Sequence, residues 1–320
     1  MQENLPVRRL IWLDGDLVPW ADATVHVLSH SLQRGSLVFD YMGVKATPRG
    51  PAIFRLDLHV QRMLRSCELM GLPIAMDAGA LSAAILQTVR ANPGAKAVKA
   101  SAYFASLEID VVPVDSRVSV AIAVYDPQED LMARLPGGNS QPKSPRPLRV
   151  WLEKEAHQRR DDIVSPQAKV AANYASSMTA KGRAQRLGFD EILLVDADGH
   201  IAEGPTTNVF VVDSAGILLT PPEKGVLRGV TRQSIMELAT DSGIEVRETP
   251  IEPGQLMLAS EVFLTGTTAG VAAVESVDGD KIGDLCPGPR SRQLGERLSR
   301  VESGKDPAFD HWLTYVEAGG

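Results

Sequence analysis

Between Asp126 and Pro147 the apolar periodicity that runs through the rest of this 320-residue chain lapses. The stretch opens with Asp126-Pro127, passes through Pro136-Gly137-Gly138-Asn139-Ser140 and adds three more prolines, Pro142, Pro145 and Pro147. Each proline removes a backbone donor and pushes its predecessor toward extended backbone, so the stretch can neither prolong a helix nor sit inside a sheet ladder. A chain of this length is long for one hydrophobic core and comfortable for two. The reading is therefore a small N-terminal domain over 1-126, an interdomain linker over 127-147 and a large C-terminal domain over 148-320.

Local patterns on both sides mix strands and helices. Leu10 to Trp20 reads as a hairpin turning at Asp14-Gly15. Leu37 to Val44 is a strand candidate, followed by a turn at Pro48-Arg49-Gly50-Pro51. From Leu56 the period becomes helical, with Val60, Met63, Leu64, Cys67 and Met70 on one face and Gly71 and Pro73 as the stop. Ala80 to Ala91 is a second helix, and strands follow around Val98–Leu107 and Val118–Tyr125. Past the linker, Leu148–Leu152 is a strand, Tyr174–Leu187 a helix, and Glu191 to Ala202 a hairpin around Asp196-Ala197-Asp198-Gly199. Val209–Val212 and Ile217–Leu219 read as a strand pair, Thr231–Ser242 as a helix and Glu261–Thr265 as a strand. The fold class is α+β, in two domains.

Composition narrows the function classes. Lys+Arg 33 against Asp+Glu 40 gives a net charge of −7 with no block of like charge, which argues against a nucleic-acid surface. Cys67 and Cys286 stand alone, without neighbours at metal-ligand spacing, and read as reduced thiols rather than a disulfide or a metal site. No apolar run reaches membrane-spanning length and the N-terminus lacks a signal-peptide core, so a cytoplasmic protein is expected.

The chemistry concentrates in two segments. Gln167-Ala168-Lys169-Val170-Ala171-Ala172-Asn173-Tyr174 sets a lysine among small apolar residues with a tyrosine five positions on. Most lysines are solvated surface groups, but a desolvated one loses affinity for its proton and becomes a better nucleophile. Glu203 follows in Ala202-Glu203-Gly204-Pro205-Thr206-Thr207-Asn208; alone it would read as an exposed hairpin carboxylate. A lysine able to form a Schiff base, a phenol and a separate acid to protonate a pyridine nitrogen are the parts that pyridoxal 5′-phosphate needs.

A phosphate also needs a cradle. Leu227-Arg228-Gly229-Val230-Thr231 runs from a turn into a helix whose free N–H groups suit an anion, although a simple N-cap explains Thr231 as well. Gly266-Thr267-Thr268-Ala269-Gly270 follows a strand and would let backbone approach a ligand, or is a plain tight turn. Arg62, on the first long helix among apolar positions, is either a surface cation or a phosphate ligand.

Together these segments resemble the class IV, or fold type IV, aminotransferases, and within them the branched-chain aminotransferases. The resemblance runs from Trp12-Leu13-Asp14-Gly15 to Val274-Glu275-Ser276-Val277-Asp278-Gly279, through Val25-His26-Val27-Leu28-Ser29-His30 and Phe54-Arg55-Leu56-Asp57-Leu58-His59-Val60-Gln61-Arg62. It implies two α/β domains of the D-amino-acid aminotransferase-like kind with the cofactor in the interdomain cleft, and a homodimer or higher homo-oligomer. It implies Lys169 as the Schiff-base lysine, Glu203 as the acid at the pyridine nitrogen, Tyr174 at the cofactor's 3′-oxygen and Arg62 at its phosphate. Leu227, Val230, Thr231 and Thr267 fall at further cofactor-binding positions, and Phe39, Lys99, Thr268 and Ala269 at substrate-binding ones.

The chain also departs from that family. Branched-chain enzymes read Phe-Glu-Gly-Ile-Arg where this chain has Phe39-Asp40-Tyr41-Met42-Gly43, and Tyr-x-Arg where it has Val98-Lys99-Ala100. The Arg-x-His pair of D-amino-acid aminotransferases is absent as well. Lys99, Arg134 and Arg159 are candidate replacements for the arginine that receives an acceptor's second carboxylate, though a lysine lacks the bidentate fork. The implied activity is transfer of an amino group from an amino acid, branched-chain-like, to a 2-oxo acid by a ping-pong cycle. The alternatives are an aminodeoxychorismate lyase-type enzyme, an (R)-amine or D-amino-acid transaminase on the same fold, and a binding protein that keeps the scaffold without the chemistry.

Overall fold

The computed structural model describes residues 7–134, 146–154 and 160–316. Part of the proline-rich stretch, from 135 to 145, and Arg159 lie outside the described residues. The described residues fall into two compact units, each with its own sheet.

The first unit begins with the hairpin of β1 (Leu10–Leu13) and β2 (Asp16–Pro19). Asp14 and Gly15 both take positive φ, 49° and 116°, the backbone that a two-residue hairpin turn requires. A short helix α1 (His30–Arg34) leads to β3 (Val38–Thr47), β4 (Gly50–Phe54), α2 (Leu56–Leu69), α3 (Ala78–Ala91), β5 (Ala97–Phe104) and β6 (Val118–Tyr125). Along β3 the side chains alternate: Val38, Asp40, Met42 and Val44 are buried, and Phe39, Tyr41 and Gly43 lie on the opposite, half-buried face. Helix α2 packs on β3 with Leu56, His59, Val60, Arg62, Met63, Ser66 and Cys67 buried, a stripe at helical spacing that includes three polar residues. Beyond β6, Pro127–Leu131 and Met132–Arg134 are helical turns; the Asp126 side chain caps the first, and buried Asp130 accepts the Asp126 N–H at 2.7 Å and the Arg9 Nε at 2.8 Å.

The second unit contains β7 (Leu148–Glu153), α4 (Ala172–Arg186) from its second residue on, β8 (Glu191–Leu194), β9 (Asn208–Val212), β10 (Leu218–Thr220), α5 (Val230–Asp241), β11 (Val246–Glu248), α6 (Pro253–Met257), β12 (Glu261–Gly266), β13 (Gly270–Val277), β14 (Asp280–Lys281) and α7 (Pro289–Glu302) up to its last residue. Its sheet runs β11-β10-β9-β12-β13-β7-β8, with β14 added to β13. Strand β9 is buried throughout, as expected of a central strand covered on both faces. Val209, Val211, Val262 and Leu264 join one core, while on the other face Phe210 stacks on Phe263 at 5.2 Å. Ala180 and Ala184 of α4 lie in a smaller cluster with Ile192 and Leu194.

The chain then returns to the first unit. β15 (Leu313–Tyr315) pairs antiparallel with β4, giving a seven-stranded sheet in the order β15-β4-β3-β5-β6-β1-β2. One internal segment, Ala168–Ala172, also belongs to the first unit although its neighbours on both sides in sequence belong to the second.

Glycine decides one junction of the second unit. The buried Glu261 carboxylate accepts the N–H groups of Arg290 and Ser291, both at 2.8 Å, and so caps the start of α7. A Cβ at Gly288 would stand 2.1 Å from that carboxylate carbon, whereas a Cβ at Gly254 would meet nothing within 4 Å. Gly288→Ala is expected to lower stability by about 2–3 kcal/mol, and Gly254→Ala to leave it within about 0.5 kcal/mol, in urea melts of the two variants. Equal midpoints would refute the close packing at Gly288.

Candidate active site

Lys169 is positioned by a backbone strap. Strand β4 covers only Val44–Thr47 of β3, which leaves the start of that edge open. The strap fills it: Phe39 N–H donates to Lys169 O at 3.0 Å, Ala171 N–H to Leu37 O at 2.8 Å, and Ala172 N–H to Gly35 O at 3.2 Å. Val38 and Val170 form an antiparallel bridge. Ser66 Oγ of α2 accepts the Lys169 N–H at 3.0 Å while donating to Arg62 O at 2.8 Å. Ala168 and Val170 are buried and Lys169 is half-buried between them, the partial desolvation that its small neighbours predict. The Lys169 ammonium lies 5.0 Å from the Phe39 ring centroid, and Lys99 Nζ of β5 lies 4.8 Å from the same centroid.

Beneath this face of β3 lies a buried charged cluster. Arg62 Nε and Nη2 each donate to Asp40 at 2.8 Å, one to each carboxylate oxygen, and His59 Nδ1 meets Asp40 Oδ1 at 2.6 Å. Burial alone would raise the Asp40 carboxyl, but the Arg62 guanidinium and the hydrogen bonds from Arg62 and His59 outweigh it and hold it well below the usual carboxylate range. Burial lowers His59 more than Asp40 raises it, so the imidazole stays neutral and serves as an Nδ1–H donor to Asp40. Asp40 is the member of this site that the chemical reading of the sequence does not single out. The available signal is an aspartate at a buried position of an alternating strand, which requires a charged or hydrogen-bonding partner.

In the second unit three loops converge. Glu203 is buried, and its Oε2 accepts Asn208 Nδ2 at 3.1 Å and the Leu227 N–H at 3.2 Å. Asn208 also donates to Leu227 O at 3.1 Å, so a residue absent from the predicted set joins two that are in it. Gly229 precedes α5 without a side-chain cap, and a Cβ there would stand 1.9 Å from Asn208 Oδ1. Val230 and Thr231, both buried, open the helix, whose first-turn N–H groups have no carbonyl partner within the helix. Across β9 and β12 Asn208 pairs with Thr265, and a Cβ at Gly266 would approach Thr206 O at 3.2 Å. Thr267, Thr268 and Ala269 form the turn that joins β12 to β13, with the last two exposed. Tyr174 sits half-buried in the first turn of α4.

These donor sets fit a phosphorylated pyridine aldehyde. Among the described residues the Thr207 and Thr265 hydroxyls are buried without a hydrogen-bond partner in the same loop cluster, Gly204, Gly229 and Gly266 keep its backbone closely approachable, and α5 offers an uncapped anion-binding start. Within the first unit, Lys169 is a primary amine of the kind that condenses with an aldehyde. The hairpin turn of the second unit also gathers Asp196, Asp198 and His200, but Asp196 Oδ1 accepts the backbone N–H groups of Asp198 at 3.0 Å and His200 at 2.9 Å, as turn chemistry requires. Among the described residues no helix is long and apolar enough to cross a membrane.

Comparison with known proteins follows the same outline. Residues 37–277 match the family described as Amino-transferase class IV. The branched-chain-amino-acid aminotransferase of Pseudomonas aeruginosa is 32% identical over 310 residues, 96% of this chain and 97% of that protein. Its counterpart from Escherichia coli K12 is 32% identical over 319 residues, with the same coverage. Among solved structures, the T.th. branched-chain amino acid aminotransferase with pyridoxamine 5′-phosphate superposes with a TM-score of 0.88 at 31% identity, covering 98% of this chain and all of that one. The Thermobaculum terrenum enzyme in its PLP form gives 0.86 at 27% identity, with 97% and 99% covered.

The Asp40–Arg62 pair carries a stability prediction. Asp40→Asn leaves a buried guanidinium without its counter-charge, and the expected cost is about 3–5 kcal/mol. A carboxyl with a depressed folded-state value stabilises fully above its unfolded value of roughly 3.9 and loses that contribution as the pH falls below it. In urea melts the gap between wild type and variant should therefore be undiminished at pH 5 and shrink below about pH 4. A gap already closed at pH 6 would contradict the geometry.

Proposed function

The chain belongs to the class IV aminotransferases and is a pyridoxal 5′-phosphate-dependent transaminase, and from that premise we propose that it exchanges amino groups between branched-chain-like amino acids and a 2-oxo acid. The observation that carries the reading is the Lys169 strap: an amine fixed by backbone hydrogen bonds on a sheet edge, with buried neighbours on either side. The relatives favour transamination over the lyase and the (R)-amine or D-amino-acid readings.

When bound, the cofactor supplies the electron sink that makes the substrate's α-proton removable. Lys169 would hold it, and its amine would be the base that moves the proton at the substrate α-carbon. Glu203, fixed by Asn208 and the Leu227 N–H, would keep a proton at the pyridine nitrogen. Tyr174 would hydrogen-bond the 3′-oxygen. In the second unit the first-turn amides at Val230 and Thr231 and Thr267 would receive a phosphate; in the first, Arg62, oriented by Asp40, would be its cationic ligand. Leu227 contributes backbone to the same site. Phe39, Lys99, Thr268 and Ala269 contact substrate, the last two through the turn that meets its carboxylate.

We assign the working form as a cytoplasmic homodimer. Val25, Val27, Leu28 and Leu32 are exposed on one segment and Leu107, Ile109, Val111, Val112 and Val114 on another, and the two segments are tied by the Ser29–Leu107 bridge and the His30 N–H to Ser106 O bond. So much contiguous apolar surface favours burial against a second copy. Ile109→Asp should shift the mass measured by light scattering toward the monomer, and a monomeric wild type would remove the assignment.

The decisive test traps the cofactor. Borohydride reduction of the loaded protein should add a pyridoxyl phosphate mass to the peptide carrying Lys169; Lys169→Ala should show neither the adduct nor turnover. Glu203→Ala should keep the adduct and slow the half-reaction with L-leucine by about 10²–10³-fold, the usual effect of deleting one preorganised electrostatic partner. Half-reactions with L-leucine and L-glutamate but not with D-alanine or (R)-1-phenylethylamine would support the branched-chain reading. The reverse pattern would overturn it.

A further inference from the structure

Two lysines share one aromatic ring in the first unit. Lys99 reaches the Phe39 ring from β5 and Lys169 from the strap, with nitrogen-to-centroid distances of 4.8 and 5.0 Å. Those distances keep the two nitrogens within roughly 10 Å of each other, about one Debye length at physiological salt. The pairing of β3 with β5 makes this a built arrangement. Tyr41 lies opposite Lys99 and Phe39 opposite Ser101, and directly opposed residues project from the same face of the sheet.

The charged and titratable groups that the first unit brings toward Lys169 come from three elements. Helix α2 offers His59 and Arg62, β3 offers Asp40, and β5 offers Lys99. Asp40 is committed to Arg62 through both of its oxygens, and His59 is neutral, so those three leave little net charge. Lys99 is different. No carboxylate among the described residues pairs with it. Loss of water around its ammonium lowers its affinity for a proton, and the charge of Lys169 lowers it further. Electrostatic coupling of this kind is reciprocal.

We propose that Lys99 is an electrostatic positioning residue for Lys169, whose charge disfavours a proton on the Lys169 nitrogen and keeps that amine a competent nucleophile and base near neutral pH. A cationic neighbour is one of the two general ways to activate a lysine, and here it supplements the partial desolvation that the strap provides. The proposal rests on Lys169 being the reactive amine, and it gives Lys99 a role that would persist with substrates lacking a second carboxylate.

The test compares wild type, Lys99→Gln and Lys99→Arg by two readouts. The first is the pH midpoint of the absorbance of the lysine-bound cofactor in the holoenzyme. The second is the pH dependence of trace acetylation at Lys169 in cofactor-free protein, read by mass spectrometry. Lys99→Gln should raise both midpoints by about half a unit to one unit, as expected for a like charge at this distance and an effective dielectric of roughly 20–40. Lys99→Arg should stay near wild type, and about 1 M salt should shrink the difference between wild type and Lys99→Gln. Unchanged midpoints in Lys99→Gln, or equal shifts in both variants, would overturn the proposal. If no lysine-bound cofactor forms in wild type, the transaminase assignment of Lys169 fails, while the acetylation midpoints still decide whether Lys99 tunes it.

Discussion

The position of Lys169 depends on an edge that β4 leaves uncovered. Strand β3 is ten residues long, β4 spans only its far end, and the strap from Ala168 to Ala172 supplies the missing ladder partners. An open edge near Val38 would expose unpaired backbone groups, so filling it satisfies the sheet and fixes the lysine in one act. The strap pairs through main chain, so its side chains are free to be small. Ala168, Val170 and Ala171 therefore determine how dry the lysine's surroundings are without determining where it sits.

Under that edge the sheet accepts an unusual load. Asp40 occupies a buried position of β3 that would ordinarily take valine, and its cost is offset by a bidentate arginine and a neutral histidine from α2. A buried ion pair of this kind often stabilises a fold no more than well-packed apolar residues of the same volume. Its retention reads as orientation: Asp40 sets the plane of the Arg62 guanidinium, and Ser66, one turn further along α2, joins the Arg62 carbonyl to the Lys169 N–H. In the second unit an uncharged device has the same effect, because Asn208 bonds Glu203 and the Leu227 carbonyl together and only glycine at 229 leaves it room.

The departures from the branched-chain pattern acquire a physical meaning. Gly43 stands where the family has an arginine, and Lys99 stands in the middle of the altered tripeptide on β5. The register turns that lysine toward Phe39, over which Lys169 also lies. A sequence motif records which residue replaced which; the register records what the replacement now touches. Arg134, a candidate for the same task, ends the short helical turns after β6.

Periodicity and turn chemistry in the sequence were enough to specify much of the local structure. The hairpin at Asp14-Gly15, the helical stripe beginning at Leu56, the strand pair 209–212 with 217–219 and the helix that starts beside Gly229 all follow from residue spacing, because each depends on neighbours a few positions away. The order of the Lys169 and Glu203 segments similarly pointed to the cofactor. Tertiary structure alone decided what is non-local. It returned the C-terminal Leu313–Tyr315 to pair with β4, placed Ala168–Ala172 in a unit different from its sequence neighbours, locked Asp40 to Arg62, joined Asn208 to the Leu227 carbonyl, and set Lys99 and Lys169 over one ring. Those contacts join residues up to hundreds of positions apart, and no local period records a partner at that distance.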